Sequence, residues 1–184
     1  MTLPLYRSLA PFAFGAAGLV FAAGAFAAPL TISEPHDHGA WQALTLDDGD
    51  KRHFRAVEAT SYSDATLSVN ATQGVCHLPW LEMRVTLEET QTDDRAVNLV
   101  PARLRVDREP LVDTMAEFIV ERGDDGFYSH FYLGELDTLL SQMSGGEKLF
   151  IGFDQGEAEP WTMTFDLDGA GEALAEMRQR CADA

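Results

Sequence analysis

Basic residues are scarce in this chain of 184 residues, which has 13 lysines and arginines against 30 aspartates and glutamates. The resulting formal net charge of −17 repels nucleic acid and anionic lipid headgroups at long range. We therefore expect no nucleic-acid partner, and cations or basic proteins suit the chain better. An acidic, solvated surface explains the same composition without any partner, and we favour that interpretation of the charge.

The sequence motifs of common catalytic sites are lacking as well. There is no Gly-x-Ser-x-Gly nucleophile elbow and no His-Glu-x-x-His zinc motif. The glycines at 145–148 precede a predicted strand, whereas a phosphate-binding loop must precede a helix. A run from Asp166 resembles a calcium-binding loop, but its twelfth position is Met177, where a bidentate glutamate is required. We therefore expect a protein that is not an enzyme.

Long apolar runs are missing after residue 27, and the one run present lies at the N-terminus. It follows Arg7 and ends in Ala25, Phe26 and Ala27, the small-x-small pattern that a signal peptidase accepts. We predict a signal peptide over residues 1–27 and a periplasmic or secreted mature chain of 157 residues without a stable membrane span. A retained transmembrane anchor is the alternative, because the run approaches spanning length.

Cysteine is nearly absent, with only Cys76 and Cys181 in the chain. The predicted export would place these two cysteines in an oxidising compartment. Two cysteines in an oxidising compartment usually pair, so we predict a disulfide that closes a loop of about 105 residues. Two free buried thiols are the alternative. Cys181 shares one face of a predicted terminal helix with Ala170, Leu174 and Met177, so the disulfide would attach that helix to the sheet.

Alternation of apolar and polar residues dominates the rest of the chain. Residues 81–89 are typical, with one apolar and one polar face, which predicts a half-buried strand. We expect a mainly β fold, an antiparallel sheet or sandwich of about seven or eight strands with two short helices, the last one C-terminal. Further strands are predicted over 53–62, 65–72, 98–107, 114–122, 127–133, 148–154 and 161–167, and helices over 135–146 and after Asp168 as N-cap.

The predicted domain organisation is simple. Residues 28–40 offer little to bury and are expected to form a flexible arm, and residues 41–184 are expected to form a single β-rich domain. Pro101 lies inside a predicted strand, where it indicates an edge position or a bulge because proline donates no hydrogen bond.

Three short stretches carry a family resemblance. FDLDGAGEALAEMRQRC (165–181) resembles the closing motif of several exported bacterial families, and ARLRVDREP (102–110) is similar to the Arg-x-Asp strand of the type VI secretion-associated VasI family. GEKLFIGF (146–153) resembles that family's strand before the last hairpin. The invasion-associated locus B family has a comparable end and is also exported. The chain lacks the extra cysteines and the tryptophan of VasI-like proteins. The resemblance implies a small exported accessory domain, with Cys76 and Cys181 as a structural pair.

A histidine cluster is the sharpest functional pattern. His36 and His38 project to the same side of an extended segment, so both could bind one metal ion, zinc or copper, with an oxygen from Glu34 or Asp37. The alternative is a polar linker without metal, which we favour. Three more histidines could join only if the fold brings them near: His53, His77 and His130.

Aromatic residues occupy both faces of one predicted strand: Phe127, Tyr128, Phe131 and Tyr132. We favour core packing, since apolar stripes are usually buried. In the alternative, Tyr128, His130 and Tyr132 form an exposed patch that binds a partner.

Taken together, these patterns predict a non-enzymatic periplasmic accessory or binding domain that acts through contact with a protein partner of the periplasm or envelope, in connection with secretion or the cell envelope. The first alternative is a periplasmic metal-handling protein that uses His36 and His38. A small hydrolase with an unrecognised site is the weakest alternative.

Overall fold

The computed structural model describes residues 30–184, so the predicted signal peptide lies outside the described part of the chain. This part forms ten strands and two helices, which confirms the mainly β fold with a C-terminal helix and adds strands to the expected number. The elements are β1 (Thr31–His38), β2 (Trp41–Asp47), β3 (Arg52–Glu58), β4 (Ala65–Thr72), β5 (Trp80–Thr86), β6 (Arg95–Val106), β7 (Val112–Val120), β8 (Gly126–Phe131), α1 (Leu136–Met143), β9 (Lys148–Phe153), β10 (Trp161–Asp166) and α2 (Ala170–Ala182). No helix within residues 30–184 has the length and apolar character needed to cross a membrane.

All ten strands belong to one antiparallel sheet in the order β1-β2-β3-β4-β5-β8-β7-β6-β9-β10. Alternate residues of strands such as β3 and β9 point to a common core, as period-2 patterning requires, whereas β1 has no buried residue. Helix α2 packs across β2, β3 and β4. Its buried residues are the four predicted ones, Ala170, Leu174, Met177 and Cys181, together with Ala173.

The sheet curls so that its last strand returns to the strands near its start. The indole Nε1 of Trp41 donates a hydrogen bond of 2.8 Å to the Asp166 carbonyl oxygen. The backbone N–H of Thr164 donates to the Tyr62 hydroxyl at 2.8 Å, and the N–H of Asp166 donates to Ser61 Oγ at 3.0 Å. Hydrogen bonds that each involve a side chain, rather than a strand ladder, therefore close the seam between β10 and both β2 and the turn after β3.

A buried carboxylate shapes the turn that makes these seam contacts. Glu58 is 0% exposed at the end of β3. Its Oε1 accepts hydrogen bonds from the backbone N–H groups of Thr60 at 2.9 Å and Ser61 at 2.8 Å, and from the Thr60 hydroxyl. A buried carboxylate is tolerated when it accepts several hydrogen bonds. Glu58 therefore fixes the turn that presents Ser61 and Tyr62 to β10.

The predicted disulfide is confirmed. Cys76, in the loop between β4 and β5, is bonded to Cys181 on α2 with a Cα–Cα distance of 5.8 Å. Cys181 is 3% exposed. The bond attaches α2 to the sheet at the loop that leads into β5.

The flexible arm expected over residues 28–40 is instead largely a strand. Residues Thr31–His38 pair with β2 in an antiparallel ladder, with a register shift between Ser33 and His36. The sequence pattern did not predict this strand, because its side chains are mostly exposed and polar. Its stability comes from backbone hydrogen bonds to β2, which leave no periodic apolar signal.

Two local expectations need correction. Pro101 lies neither on an edge strand nor at the bulge, because β6 is an interior strand and its register shift lies between Ala96 and Asn98. It sits where the ladder to β9 ends, so residues 95–101 pair with β7 alone and the missing donor of proline is tolerated at this local edge. The Pro101 carbonyl accepts a hydrogen bond from the Asp154 N–H at 2.9 Å. Asp168 is not the N-cap of α2, because Gly169 holds that position with φ 83° and no side chain caps the helix.

Candidate functional site

Three potential metal ligands meet where β1 passes α2. Glu176 Oε2 lies 2.8 Å from His36 Nδ1 and 2.6 Å from His38 Nε2, so one carboxylate oxygen contacts both imidazole rings. The three ligand atoms all lie within 4.8 Å of one another. We call this set, His36, His38 and Glu176, the His–His–Glu cluster.

A close backbone contact holds β1 against the start of α2. The N–H of Ala40, in the turn after β1, donates to the Asp168 carbonyl at 2.9 Å. A Cβ atom placed on Gly169 would lie 1.8 Å from the His38 carbonyl oxygen, so only glycine fits there. The positive φ of Gly169 is likewise the conformation that glycine adopts most readily. This contact fixes His38 beside α2.

Glu176 is held in a single orientation from its other side. Arg180, one turn further along α2, donates from Nη2 at 2.6 Å and from Nε at 3.1 Å to Glu176 Oε1. Desolvation opposes ionisation of Glu176, but hydrogen bonds from His38, Arg180 and His36 outweigh it and lower its pKa to about 2. The carboxylate is therefore ionised at neutral pH, with Oε2 directed at the two histidines.

The structure brings the two predicted histidines together but replaces the expected oxygen ligands. Glu34 accepts a hydrogen bond from the Thr45 hydroxyl at 3.3 Å, and Asp37 accepts one from Gln42 at 2.7 Å, so neither joins the cluster. The other histidines are not part of it: His53 contacts Asp48 and Thr72, His77 lines a cleft beside residues 133–137, and His130 contacts Glu82.

Sequence reasoning missed Glu176 and Arg180. Glu176 lies 138 residues after His38 and is not among the residues predicted to share the buried face of the terminal helix. One sequence feature could have indicated Glu176. It lies little more than one helical turn before Cys181, on the helix that the predicted disulfide attaches to the sheet, and so it must lie near the sheet.

The predicted partner patch of Tyr128, His130 and Tyr132 is mostly engaged in contacts with carboxylates. Phe127 and Phe131 pack among the aromatic rings of Phe118, Phe153 and Trp161, whereas the two tyrosines and His130 lie on the opposite, outer face of β8 and its extension. Each outer side chain contacts a carboxylate, in the pairs Tyr128–Asp124, His130–Glu82 and Tyr132–Glu117. Tyr132 is 59% exposed and is the one strongly exposed member.

Glu82 and His130 form a partly buried ion pair on this outer face. His130 Nε2 lies 2.9 Å from Glu82 Oε2, and Arg55 Nη2 lies 3.4 Å from Glu82 Oε1. Burial opposes ionisation of Glu82, yet the hydrogen bond from His130 and the charge of Arg55 lower its pKa below 4.5. The hydrogen bond to Glu82 raises the pKa of His130 above 6.5, against the opposing effect of burial.

This pair predicts a pH-dependent contribution to stability. The lowered pKa of Glu82 stabilises the fold above pH 4.5, and this contribution falls as pH drops through the folded-state pKa. The raised pKa of His130 stabilises the fold below pH 6.5, and this contribution falls as pH rises through the folded-state pKa. His130→Gln should therefore be most destabilising between pH 4.5 and 6.5, as measured by urea unfolding across pH. Glu82→Gln should remove the same dependence, and a pH-independent cost of His130→Gln would contradict the assignment.

A groove of about 620 Å³ lies on the outer face of β7, β6 and β9. Gly152 forms its floor, and the Phe150 ring lies so close that a Cβ on Gly152 would be 3.2 Å from it. Met115 and Leu111 line the β7 side. Strand and loop residues alone form the lining. We call this the outer groove.

Charge and apolar surface meet at the outer groove. The Arg105 guanidinium lies 5.8 Å from the centroid of the Phe150 ring, a cation–π distance. Arg103 Nε lies 3.0 Å from Asp113 Oδ1, and both side chains are largely exposed. Two exposed leucines border this surface: Leu111, 48% exposed, and Leu99, 53% exposed and two residues before Pro101 on the same side of β6.

The comparisons with known proteins concern the fold. No family model and no curated protein matches the chain. Among solved structures, the crystal structure of invasion-associated protein B from Bartonella henselae is similar, with a TM-score of 0.52 and 14% sequence identity over 80% of this chain and 98% of that chain. This likeness agrees with the resemblance to the invasion-associated locus B family at the level of architecture. The chain therefore has the fold of invasion-associated protein B.

Proposed function

We propose that this protein is an envelope-associated, non-enzymatic binding domain, periplasmic or secreted, that acts by contacting a protein partner at the outer groove. The supporting observation is an uncovered sheet face on which exposed apolar side chains border a concave site. Leu99, Leu111 and Tyr132 are three of the large apolar or aromatic residues that remain exposed in residues 30–184. Apolar residues grouped around a groove are typical of interaction sites rather than of inert surface.

The side chains of the outer groove indicate what the partner must present. The Phe150 ring lies against Gly152, and the two residues together give the groove an apolar surface on which an apolar side chain can pack. Arg105 and Arg103 lie on the same face and can pair with a carboxylate at its edge. Because the pair of Arg103 with Asp113 is solvent-exposed and weak, exchanging Asp113 for a partner carboxylate costs little. The expected partner surface combines an apolar anchor with an acidic residue.

Two features support action outside the cytoplasm. The disulfide between Cys76 and Cys181 belongs to an oxidising compartment, and the predicted signal peptide over residues 1–27 would deliver the chain there. The name of the structural neighbour associates that protein with invasion. We propose that this chain likewise acts at the cell envelope or in connection with secretion.

Site-specific crosslinking in living cells tests the proposed surface. A photo-crosslinking residue at Leu99 or Leu111 should give a discrete adduct with one envelope protein, whereas the same residue at Gln179, on the exposed side of α2, should not. Arg105→Glu should weaken the adduct at least roughly tenfold, because it reverses the charge that faces the partner carboxylate. Arg178→Glu is the matched control, since Arg178 is exposed on α2 away from the groove.

Two outcomes would end the proposal. The first is equal labelling from the outer groove and from α2. The second is an adduct that Arg105→Glu and Arg178→Glu weaken to the same extent, because bulk charge rather than the groove would then explain it.

A further inference from the structure

We propose that His36, His38 and Glu176 form a zinc-binding site that joins the first described strand to the last helix. The site is independent of the outer groove and goes beyond the proposed partner contact. Two imidazole nitrogens and one carboxylate oxygen are ligands that Zn²⁺ accepts, and three protein ligands leave a fourth tetrahedral position for water. The 63% side-chain exposure of His36 leaves that position open to solvent.

The distances suit this ligand set. Tetrahedral bonds of about 2.0–2.2 Å place neighbouring ligand atoms about 3.3–3.6 Å apart. Glu176 Oε2 lies 2.6 Å from His38 Nε2 and 2.8 Å from His36 Nδ1, and all three atoms lie within 4.8 Å of one another, so small side-chain movements bring them around one ion. Opening the two contacts by roughly 0.5–1 Å would admit the ion. The exposed His36 side chain can make this adjustment by rotation.

The surroundings prepare the ligands. Arg180 holds Glu176 Oε1, so Oε2 is directed at the histidines before any ion binds and Glu176 need not change its rotamer. On the other side, the contact of Gly169 with the His38 carbonyl fixes the backbone of the second histidine. Both anchors persist when the ion binds, because neither uses an atom that would coordinate it.

The arrangement of β1 also favours a specific site over a chance cluster. Glu34 adopts φ 53°, in the left-handed region that a non-glycine residue seldom visits. This residue lies at the register shift between Ser33 and His36. Such irregularities reorient the side chains that follow, and here His36 and His38 both reach α2. The acidic charge of the whole chain further raises the local concentration of cations.

Calorimetric titration of the metal-free mature protein with Zn²⁺ tests the site. We expect one equivalent to bind, and Zn²⁺ at about 100 times the dissociation constant to raise Tm by roughly 5–10 °C. Glu176→Gln, His36→Ala and His38→Ala should each weaken binding at least roughly tenfold. His53→Ala is the matched control, because His53 contacts Asp48 and Thr72 and should leave binding unchanged.

A second readout separates coordination from non-specific binding to acidic surface. Binding of Zn²⁺ should shift the NMR signals of the His36 and His38 rings and leave those of His53 and His130 in place. If Glu176→Gln fails to fold, His36→Ala still tests the site, since His36 is largely exposed. The proposal is overturned if Zn²⁺ gives neither heat nor a change in Tm, or if binding survives unchanged in all three ligand variants.

Discussion

Replacement of both Cys76 and Cys181 by alanine should lower the free energy of unfolding by about 4–5 kcal/mol. The disulfide closes a loop with a sequence separation of 105 residues, and the chain-entropy model assigns roughly 4.7 kcal/mol to a loop of about that size. For a chain of this length the loss corresponds to a fall in Tm of roughly 10–20 °C. Thermal unfolding followed by circular dichroism measures it directly.

The wild-type protein supplies the control for this experiment. Reductant should lower the Tm of the wild type to near that of the double variant and should leave the double variant unchanged. The cost arises mainly in the unfolded chain, which gains freedom when the crosslink is lost, so the folded variant should keep its β-sheet spectrum below its Tm. A reduced wild type that melts at the oxidised Tm would contradict the stabilising role of the bond.

Trp41→Ala should destabilise the protein by about 3–5 kcal/mol, the usual cost of removing a buried large aromatic side chain. Trp41 is 1% exposed at the start of β2, and its indole N–H donates to the Asp166 carbonyl across the seam. The substitution therefore leaves a cavity in the core and removes one of the side-chain contacts that close the sheet. Urea unfolding at neutral pH measures the change.

Two further variants separate packing from hydrogen bonding at the seam. Trp41→Phe keeps most of the buried ring but loses the donor, so it should cost about 1–2 kcal/mol plus a smaller packing loss. Trp80→Ala is the matched control, because Trp80 is only partly buried and lies away from the seam. If Trp80→Ala costs as much as Trp41→Ala, the seam has no special importance for stability.

The strands found by sequence reasoning and the strands it missed differ in where their stability originates. Strand β4 was predicted over its full length, because Leu67 and Val69 point into the core and alternate with polar residues on the opposite face of the strand. Strand β1 was missed because its polar side chains carry no such alternation. A strand held mainly by a backbone ladder at a sheet edge leaves little trace in the order of its side chains.

The candidate site likewise contains residues that the sequence predicted and residues that it did not. His36 and His38 were found because residues two apart on an extended chain share a side, which is a local property. Glu176 and the outer groove were not found, because Glu176 is 138 residues distant from His38 and the groove combines residues of β6, β7 and β9. No local pattern encodes such neighbours, since only the order of strands in the sheet sets them.

Sequence alone determined the β-rich class, the terminal amphipathic helix and the pairing of the two cysteines, because periodicity and the redox compartment act locally or through composition. Tertiary structure decided which strands adjoin, how the sheet closes on itself and which carboxylate meets the two histidines. The physical reason is that these contacts depend on long-range chain closure, whose outcome is fixed by packing of the whole core rather than by any one segment.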